Sequence, residues 1–238
     1  MRIRKEVVPF VVVAFLSWFL FFGILRSTGL SGSIALGIAA FCFVISAGYL
    51  LWFFRDPKRV APNDESAIIA PADGVIASIK TFEPDEFSSI SMLAGLNPQD
   101  LGRLRTESVL RVSIFLSLFD VHVNRVPIAG SSRFLGYFPG KHLFTFEEKS
   151  SDVNQHNSII IQNEKTVCLL NQIVGPVCRR VVYWLDHDKP TSVKAGDDFG
   201  MMKFGSRLDM YFPVNDIALL ASEGDKVRAG ETVIGRYA

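Results

Sequence analysis

The stretch MMKFGSRLDMYFP, residues 201–213, carries a clear strand pattern. Leu208, Met210 and Phe212 recur at every second position, and a period of two predicts a β-strand. Gly205 and Ser206 come directly before this run, although a Gly-Ser pair is typical of turns. The sequence therefore predicts a turn that leads straight into a strand.

Further short segments on both sides of this stretch are rich in Val, Ile, Leu or Phe and are bounded by Gly, Pro, Asn or Asp. With the strand at 207–213, these segments are residues 67–82, 108–118, 128–138, 157–163, 166–174, 179–185 and 231–237. Residues 86–106 are less regular and admit a short helix. The pattern predicts a mainly β protein, with one β-rich, sandwich-like or barrel-like domain over residues 60–238 and little helix in it.

The first 59 residues have a different character. Residues 7–25 and 27–54 contain no charged side chain. Each run is long enough to cross a bilayer core, which needs roughly 20 apolar helical residues. A cleaved signal peptide explains the first run poorly, because a second apolar run follows at once. We therefore predict a transmembrane helical hairpin that anchors the protein through residues 1–59.

The charges around the two runs predict an orientation. Basic residues precede the first run and follow the second, whereas only Arg26 lies between the runs; the flanking residues are Arg2, Arg4, Lys5, Arg55, Lys58 and Arg59. The positive-inside rule then places both ends and the domain in the cytoplasm, at the cell membrane. The remainder of the chain is net acidic, which argues against nucleic acid as a partner. The basic flanks favour anionic lipid headgroups instead.

Metal and disulfide chemistry find little support in the sequence. The four histidines show no metal-ligand spacing, so no metal is expected. The three cysteines, Cys42, Cys168 and Cys178, form no CxxC motif. In a reducing compartment we expect them to be free thiols.

Ser206 has three possible uses at its position after Gly205. It could cap a turn or bulge. It could be a nucleophile, although the GxSxG motif is absent. It could also attack the carbonyl of Gly205, which is open to approach because glycine has no Cβ. The segment by itself leaves these uses open.

Five motifs occur in a fixed order along the chain: APADGV (70–75), FDVHVNRVP (119–127), GYFPGKHLF (136–144), GPVCRRVV (175–182) and KFGSRLDMYFP (203–213). Together they resemble the phosphatidylserine decarboxylase family, in particular its short, membrane-anchored branch. The Gly-Ser element is the most diagnostic of the five. The resemblance covers nearly all of residues 55–238.

The resemblance implies a proenzyme that cuts itself by serinolysis between Gly205 and Ser206. Residues 1–205 would become the β chain and residues 206–238 the α chain, and the two would stay together as a heterodimer, with a higher homo-oligomer also possible. Ser206 would become an N-terminal pyruvoyl group. That cofactor would form a Schiff base with the headgroup of phosphatidylserine, and loss of CO2 would give phosphatidylethanolamine.

The resemblance also implies roles for individual residues. His122 would donate the proton to the substrate carbon, and an imidazole suits this role near neutral pH. Asp73 matches the family's Asp-Gly carboxylate, which assists self-cleavage. Arg125 stands where the long branch of the family has a second histidine, and a permanently charged guanidinium is a poor base. The base for self-cleavage therefore stays open among His122, Asp73 and an indirect role of Arg125.

Three basic residues are weaker candidates for substrate binding. Besides Arg125 they are His142, which borders the predicted site, and Arg179, which could bind a lipid phosphate. The structural alternatives are a loop histidine and a solvated arginine.

Two other functions compete with the enzyme. The segment EGDKVRAGETVIGRY, residues 223–237, has the turn rhythm of biotinyl and lipoyl carrier domains, with Lys203 as a loose match to the carrier lysine. A membrane-anchored carrier or adaptor would keep an intact chain. A degenerate, uncut family member acting as a scaffold is the other alternative.

Overall fold

A computed structural model describes residues 1–93, 95–177 and 181–238. The chain divides into two compact units, Met1–Lys58 and Arg59–Ala238.

Two long helices dominate the first unit, α1 (Val8–Ser27) and α2 (Gly32–Phe53). They pack on each other through apolar side chains and through a hydrogen bond from Trp18 to the Ser46 hydroxyl of 3.1 Å. A turn of 3-10 helix, Lys5–Val7, precedes α1 and extends it. Both α1 with this turn and α2 are long and apolar enough to cross a membrane. The two ends of the unit meet in a short antiparallel pair, β1 (Arg2–Ile3) and β2 (Arg55–Asp56).

The second unit is built from antiparallel strands, which confirms the predicted mainly β fold. Its described strands are β3 (Ala67–Ile69), β4 (Gly74–Phe82), β5 (Val109–Leu116), β6 (Val123–Arg125), β7 (Gly130–Phe138), β8 (His156–Gln162), β9 (Val167–Val174), β10 (Val182–Tyr183), β11 (Thr191–Val193), β12 (Asp198–Met201), β13 (Ser206–Pro213), β14 (Ile217–Leu219), β15 (Lys226–Val227) and β16 (Val233–Tyr237). One sheet contains eight of them in the order β11-β7-β8-β9-β13-β5-β4-β15. The orders β10-β12-β6 and β14-β16-β3 form two three-stranded sheets.

Helices in the second unit are short, as the sequence predicted. They are α3 (Pro84–Ser88), α4 (Pro98–Leu101) and α5 (Ser150–Val153), with 3-10 turns at Ser91–Leu93, Gly102–Arg105 and Val214–Asp216. Proline begins both α3 and α4, and the Asn97 side chain caps α4 by accepting from the Gln99 amide at 3.0 Å.

The main hydrophobic core lies on one face of the large sheet. Leu208, Met210 and Phe212 point into this core from β13, together with alternate residues of β5 and β9. The opposite face carries a smaller apolar cluster around Tyr211 and a group of buried charged side chains. Alternation along β13 thus separates an apolar face from a partly polar one.

Four strand termini come together at one end of the large sheet. In β13, Ser206 pairs with Leu116, the last residue of β5, and with Val174, the last residue of β9. Strand β4 starts at the same end, where Val75 pairs with Phe115. We call this region the Ser206 end, and the loops that leave it contain most of the residues singled out from the sequence.

Candidate active site

The backbone just before Ser206 is in an unusual conformation. Phe204 has φ +52° and Gly205 has φ +69°, so two successive residues lie in the left-handed region. Phe204 is the sole non-glycine residue with positive φ in the described parts of the chain. Such a conformation costs a side-chain-bearing residue about 1 kcal/mol or more. The strain is thus concentrated next to the Gly205-Ser206 peptide bond.

Ser206 is fully buried at the start of the central strand β13. Its hydroxyl points back into the turn, with Oγ 3.4 Å from the Lys203 carbonyl oxygen, which is long for a hydrogen bond of this type. The hydroxyl is therefore held near its own preceding backbone by a weak contact.

Gly175 lies against the carbonyl group that precedes Ser206. A Cβ atom at position 175 would stand 2.7 Å from the Gly205 carbonyl oxygen, too close for any side chain. Apart from its two chain neighbours, none of the described residues has an atom within 4 Å of the place where a Cβ of Gly205 itself would be. The Gly205 carbonyl group thus packs closely against Gly175, whereas there is open space beside the Gly205 Cα atom.

His122 is buried beside the same turn. Its backbone carbonyl accepts a hydrogen bond of 3.0 Å from the amide of Met202, four residues before Ser206. Its ring Nδ1 lies 3.0 Å from the Asp120 carbonyl oxygen. A carbonyl only accepts, so neutral His122 carries its proton on Nδ1, and Nε2 is the nitrogen that can take up a proton.

Asp73 also lies at the Ser206 end, just before β4. Its carboxylate accepts from Arg59 at 2.8 Å on one oxygen and from the Ala229 amide at 2.8 Å on the other. The following Gly74 has φ +149°, and a Cβ there would stand 2.1 Å from the Phe115 carbonyl oxygen. Glycine is therefore required for β4 to approach β5, and Asp73 is held in position by donors that include Arg59 and the Ala229 amide.

The three weaker candidates differ in their surroundings. The Arg125 guanidinium donates to the Gly196 carbonyl at 3.1 Å and pairs with Asp198 at 2.9 Å. His142 is half-buried in the loop between β7 and α5, and its Nε2 has no hydrogen-bond partner among the described residues. Arg179 lies outside the described residues. A substrate-binding role for each of the three stays a prediction.

A partly buried ionic cluster next to Ser206 was missed in the sequence. Arg207 donates to Glu148 at 2.8 Å and to Asp209 at 3.0 Å, and Arg111 and Lys80 also pair with Glu148. Burial disfavours ionisation of Glu148, but the charges of Arg111 and Arg207 and the hydrogen bonds outweigh it and lower the pKa of this carboxyl from 4.5 to about 2. The cluster joins β13 to the loop that carries His142.

The sequence contained one signal for this cluster. Arg207 and Asp209 are charged residues two positions apart in a strand whose other residues are apolar, so alternation places both on one face. Their partner Glu148 could not be identified, because 59 residues separate it from Arg207 along the chain.

Two amides are a second feature that was missed. Gln172 on β9 donates to Asn124 on β6 at 2.7 Å, and both side chains are fully buried. A Cβ at Gly200 would stand 3.0 Å from the Gln172 amide nitrogen. This hydrogen bond ties β6, the strand that follows His122, to β9 of the large sheet. Gln172 pairs there with Leu208 of β13, two positions along the strand from Ser206.

The fold and this site define a β-sheet protein with two apolar helices and a strained Gly-Ser junction whose serine is buried. Comparison with known proteins identifies the family. The sequence model of the phosphatidylserine decarboxylase family matches residues 47–235, and the chain belongs to that family.

Relatives described as phosphatidylserine decarboxylase proenzyme match over most of the chain. One from Desulfotalea psychrophila is 35% identical over 98% of this chain and 96% of its own length. One from Azorhizobium caulinodans is 36% identical over 99% of this chain and 89% of its own length. One from Prosthecochloris aestuarii is 44% identical over 79% of this chain and 77% of its own length. No solved structure matches. These matches lend no support to the alternative of a carrier or adaptor module.

Proposed function

We propose that this protein is a phosphatidylserine decarboxylase that matures by cutting itself between Gly205 and Ser206. The observation that carries the proposal is the junction itself. A buried serine at the start of a central strand follows two left-handed residues, and its preceding carbonyl packs against Gly175. A simple turn does not require a buried serine or close packing against the preceding carbonyl. In a member of this family, the same features serve self-cleavage at the Gly205-Ser206 bond.

Self-cleavage uses atoms of this chain alone, apart from one water. The Ser206 hydroxyl attacks the Gly205 carbonyl carbon and its proton passes to a base, which gives an ester and frees the Ser206 amine. Loss of the Ser206 Cα proton then expels the Gly205 carboxylate and leaves a dehydroalanine. Water hydrolyses this residue with release of ammonia, and a pyruvoyl group caps residues 206–238. The strained φ value of Phe204 favours the first step, since cleavage next to it relieves the strain.

The residues around the junction fit a pyruvoyl group at position 206. The open space beside Gly205 leaves room next to the new terminus, and pairing with β5 and β9 holds β13 in place. When present, the pyruvoyl carbonyl supplies the electron sink that loss of a carboxyl group from an amino acid requires.

His122 is the proposed proton donor to the substrate carbon. Its Nδ1 is held by the Asp120 carbonyl, so Nε2 is the position through which a proton would move. Asp73 is proposed to act in self-cleavage by keeping the start of β4 in place, with its charge balanced by Arg59. Arg125, His142 and Arg179 complete the proposed substrate-binding set.

The setting of the reaction follows from the first unit. We propose that α1 and α2 span the cell membrane and that the basic flanks keep the catalytic unit on the cytoplasmic face. The lipid substrate is then present at the surface to which the enzyme is anchored.

The deciding experiment is intact-mass spectrometry of purified full-length chain and of S206A. Wild type should give two fragments, the smaller one spanning 206–238 and lacking a free amine at its terminus. S206A should remain whole and inactive. S113A removes another fully buried serine hydroxyl, on the neighbouring strand β5, and should still be cut. Cleavage of S206A at the same bond, or full activity from an uncut chain, would exclude the mechanism.

A further inference from the structure

Large exposed apolar side chains of the second unit are concentrated around the Ser206 end. Among its described residues eight are large, apolar and exposed, and five of these lie in three loops that leave this end. The five, which we call the apolar rim, are Leu118 (44% exposed), Phe119 (71%), Phe144 (55%), Phe146 (63%) and Val177 (72%). The other three are Val60, Tyr137 and Leu220.

Each loop of the apolar rim is tied to the site by a short stretch of backbone. Leu118 and Phe119 follow Leu116, the strand partner of Ser206. Val177 lies two residues after Gly175, which packs against the Gly205 carbonyl. Thr145, between the two loop phenylalanines, lies 3.5 Å from the position of a Cβ at Gly175. The three loops of the apolar rim therefore leave the sheet next to Ser206.

The ring contacts within the rim leave apolar surface exposed. Phe144 and Phe146 stack with ring centroids 5.3 Å apart, and Phe146 contacts Phe115 edge-on at 6.5 Å. More than half of each of these two loop side chains nevertheless stays exposed. Exposed aromatic residues grouped in this way mark an interaction surface. The occupant has to be apolar and has to lie next to the reacting group.

We propose that the apolar rim inserts into the surface of the lipid bilayer and places the headgroup of the substrate at Ser206. The inference rests on the proposed function, because the substrate is a lipid whose acyl chains are costly to remove from a bilayer. Aromatic side chains favour the interfacial zone of a membrane. The rim would hold the site at headgroup depth and spare the enzyme from extracting the whole lipid.

The length of the chain supports the bilayer over other apolar partners. Five residues, 54–58, separate the end of α2 from Arg59, which donates to Asp73 at the Ser206 end. A five-residue linker spans at most about 18 Å. A bilayer crossed by α2 is therefore an apolar phase that the covalent chain keeps within reach of the rim.

The first test compares bilayer and soluble substrate with the full-length chain in phosphatidylcholine vesicles containing phosphatidylserine. We expect F119S/F144S to raise KM for the bilayer substrate about ten-fold or more. Self-cleavage and turnover of monomeric, short-chain phosphatidylserine in detergent should not change. Phe146 is left in place because it packs on Phe115. L220S, which alters an exposed residue outside the rim, should behave as wild type in both assays.

The outcomes separate the rim from the proposed function. Unchanged kinetics of F119S/F144S on vesicles would overturn the docking role, while self-cleavage and short-chain turnover would still support the decarboxylase. Equal loss on both substrates would show that the rim is structural. A shift of the detergent-solubilised chain to a smaller oligomer in F119S/F144S would show that a second copy covers the rim. Absence of self-cleavage and of short-chain turnover in wild type would instead refute the proposed function.

A second measurement does not depend on loss of activity. F119W in vesicles with brominated phosphatidylcholine should show more fluorescence quenching than the parent chain, whose other tryptophans provide the background. L220W should show no added quenching. Equal quenching in F119W and L220W would contradict insertion of the rim.

Discussion

At the residue scale, the junction depends on two glycines with different tasks. Gly205 is required for conformation, because its φ of +69° is costly for a residue with a side chain although nothing crowds it. Gly175 is required for space, because a side chain there would collide with the Gly205 carbonyl oxygen. The two effects can be separated by alanine substitutions.

We expect G175A to slow self-cleavage more than G205A does. The added methyl group of G175A must displace the carbonyl that Ser206 attacks, and misplacement of about 1 Å can cost about 100-fold in rate. G205A adds strain of about 1 kcal/mol, but among the described residues its methyl group meets no atom beyond its two chain neighbours. The ratio of cut to uncut chain over time, read by gel and by intact mass, measures both. Faster cleavage of G175A than of G205A would contradict the crowding argument.

At the element scale, β13 combines two functions through its alternation. One face contributes Leu208, Met210 and Phe212 to the main core. The other places Arg207 and Asp209 in the ionic cluster with Glu148. Arg207, the residue next to Ser206, therefore anchors the loop between β7 and α5 through Glu148. We interpret Arg207 as a positioning residue.

The ionic cluster predicts an acid-sensitive contribution to stability. The pKa of Glu148 is lowered from 4.5 to about 2 in the folded state, so its stabilising effect is complete above about pH 4.5 and is lost as pH falls towards 2. E148Q should lower the thermal midpoint near neutral pH, and its difference from wild type should shrink between pH 4.5 and 2. The loss in free energy of unfolding should be about 1–2 kcal/mol. This value falls between those of exposed and of buried salt bridges, because Glu148 is partly exposed.

The matched control for this experiment is E147Q, which changes an exposed carboxylate one residue earlier. Thermal unfolding of the detergent-solubilised chain at several pH values measures both variants. A constant difference between E148Q and wild type across the whole range would show that the charge of Glu148 does not contribute.

At the scale of the whole molecule, the proposed cut divides a continuous sheet. Strand β13 would begin the smaller chain, yet it pairs with β5 on one side and with β9 on the other, and both of these belong to residues 1–205. Strands β14 and β16 form a sheet with β3, and β15 pairs with β4. Residues 206–238 thus contribute strands to two sheets of the second unit.

We therefore expect the two fragments to copurify after self-cleavage and to separate only when the fold is lost. Sheet pairing and core burial hold them together, although no covalent bond remains. Size-exclusion chromatography in mild detergent should give one peak containing both fragments, and denaturant should release the smaller one. Dissociation of residues 206–238 under native conditions would contradict this view of the sheet.

The sequence predicted those features that local patterns encode. The two apolar runs correspond to α1 and α2, and the alternation at 207–213 corresponds to β13. The Gly-Ser element and the ordered motifs were sufficient for the family. Composition, period and the order of motifs along the chain are all properties of the linear sequence, so they can be recognised without knowledge of the fold.

Features that depend on contacts between distant residues could not be read in this way. The predicted strand 67–82 is two strands, β3 and β4, because Pro71 lacks an amide hydrogen and Gly74 must approach Phe115. The short strands β11, β12, β14 and β15 exist through their partners rather than through their own pattern. Glu148 joins Arg207, and Gly175 meets Gly205, because antiparallel pairing brings remote strand ends to one place, and no local periodicity specifies which ends will meet.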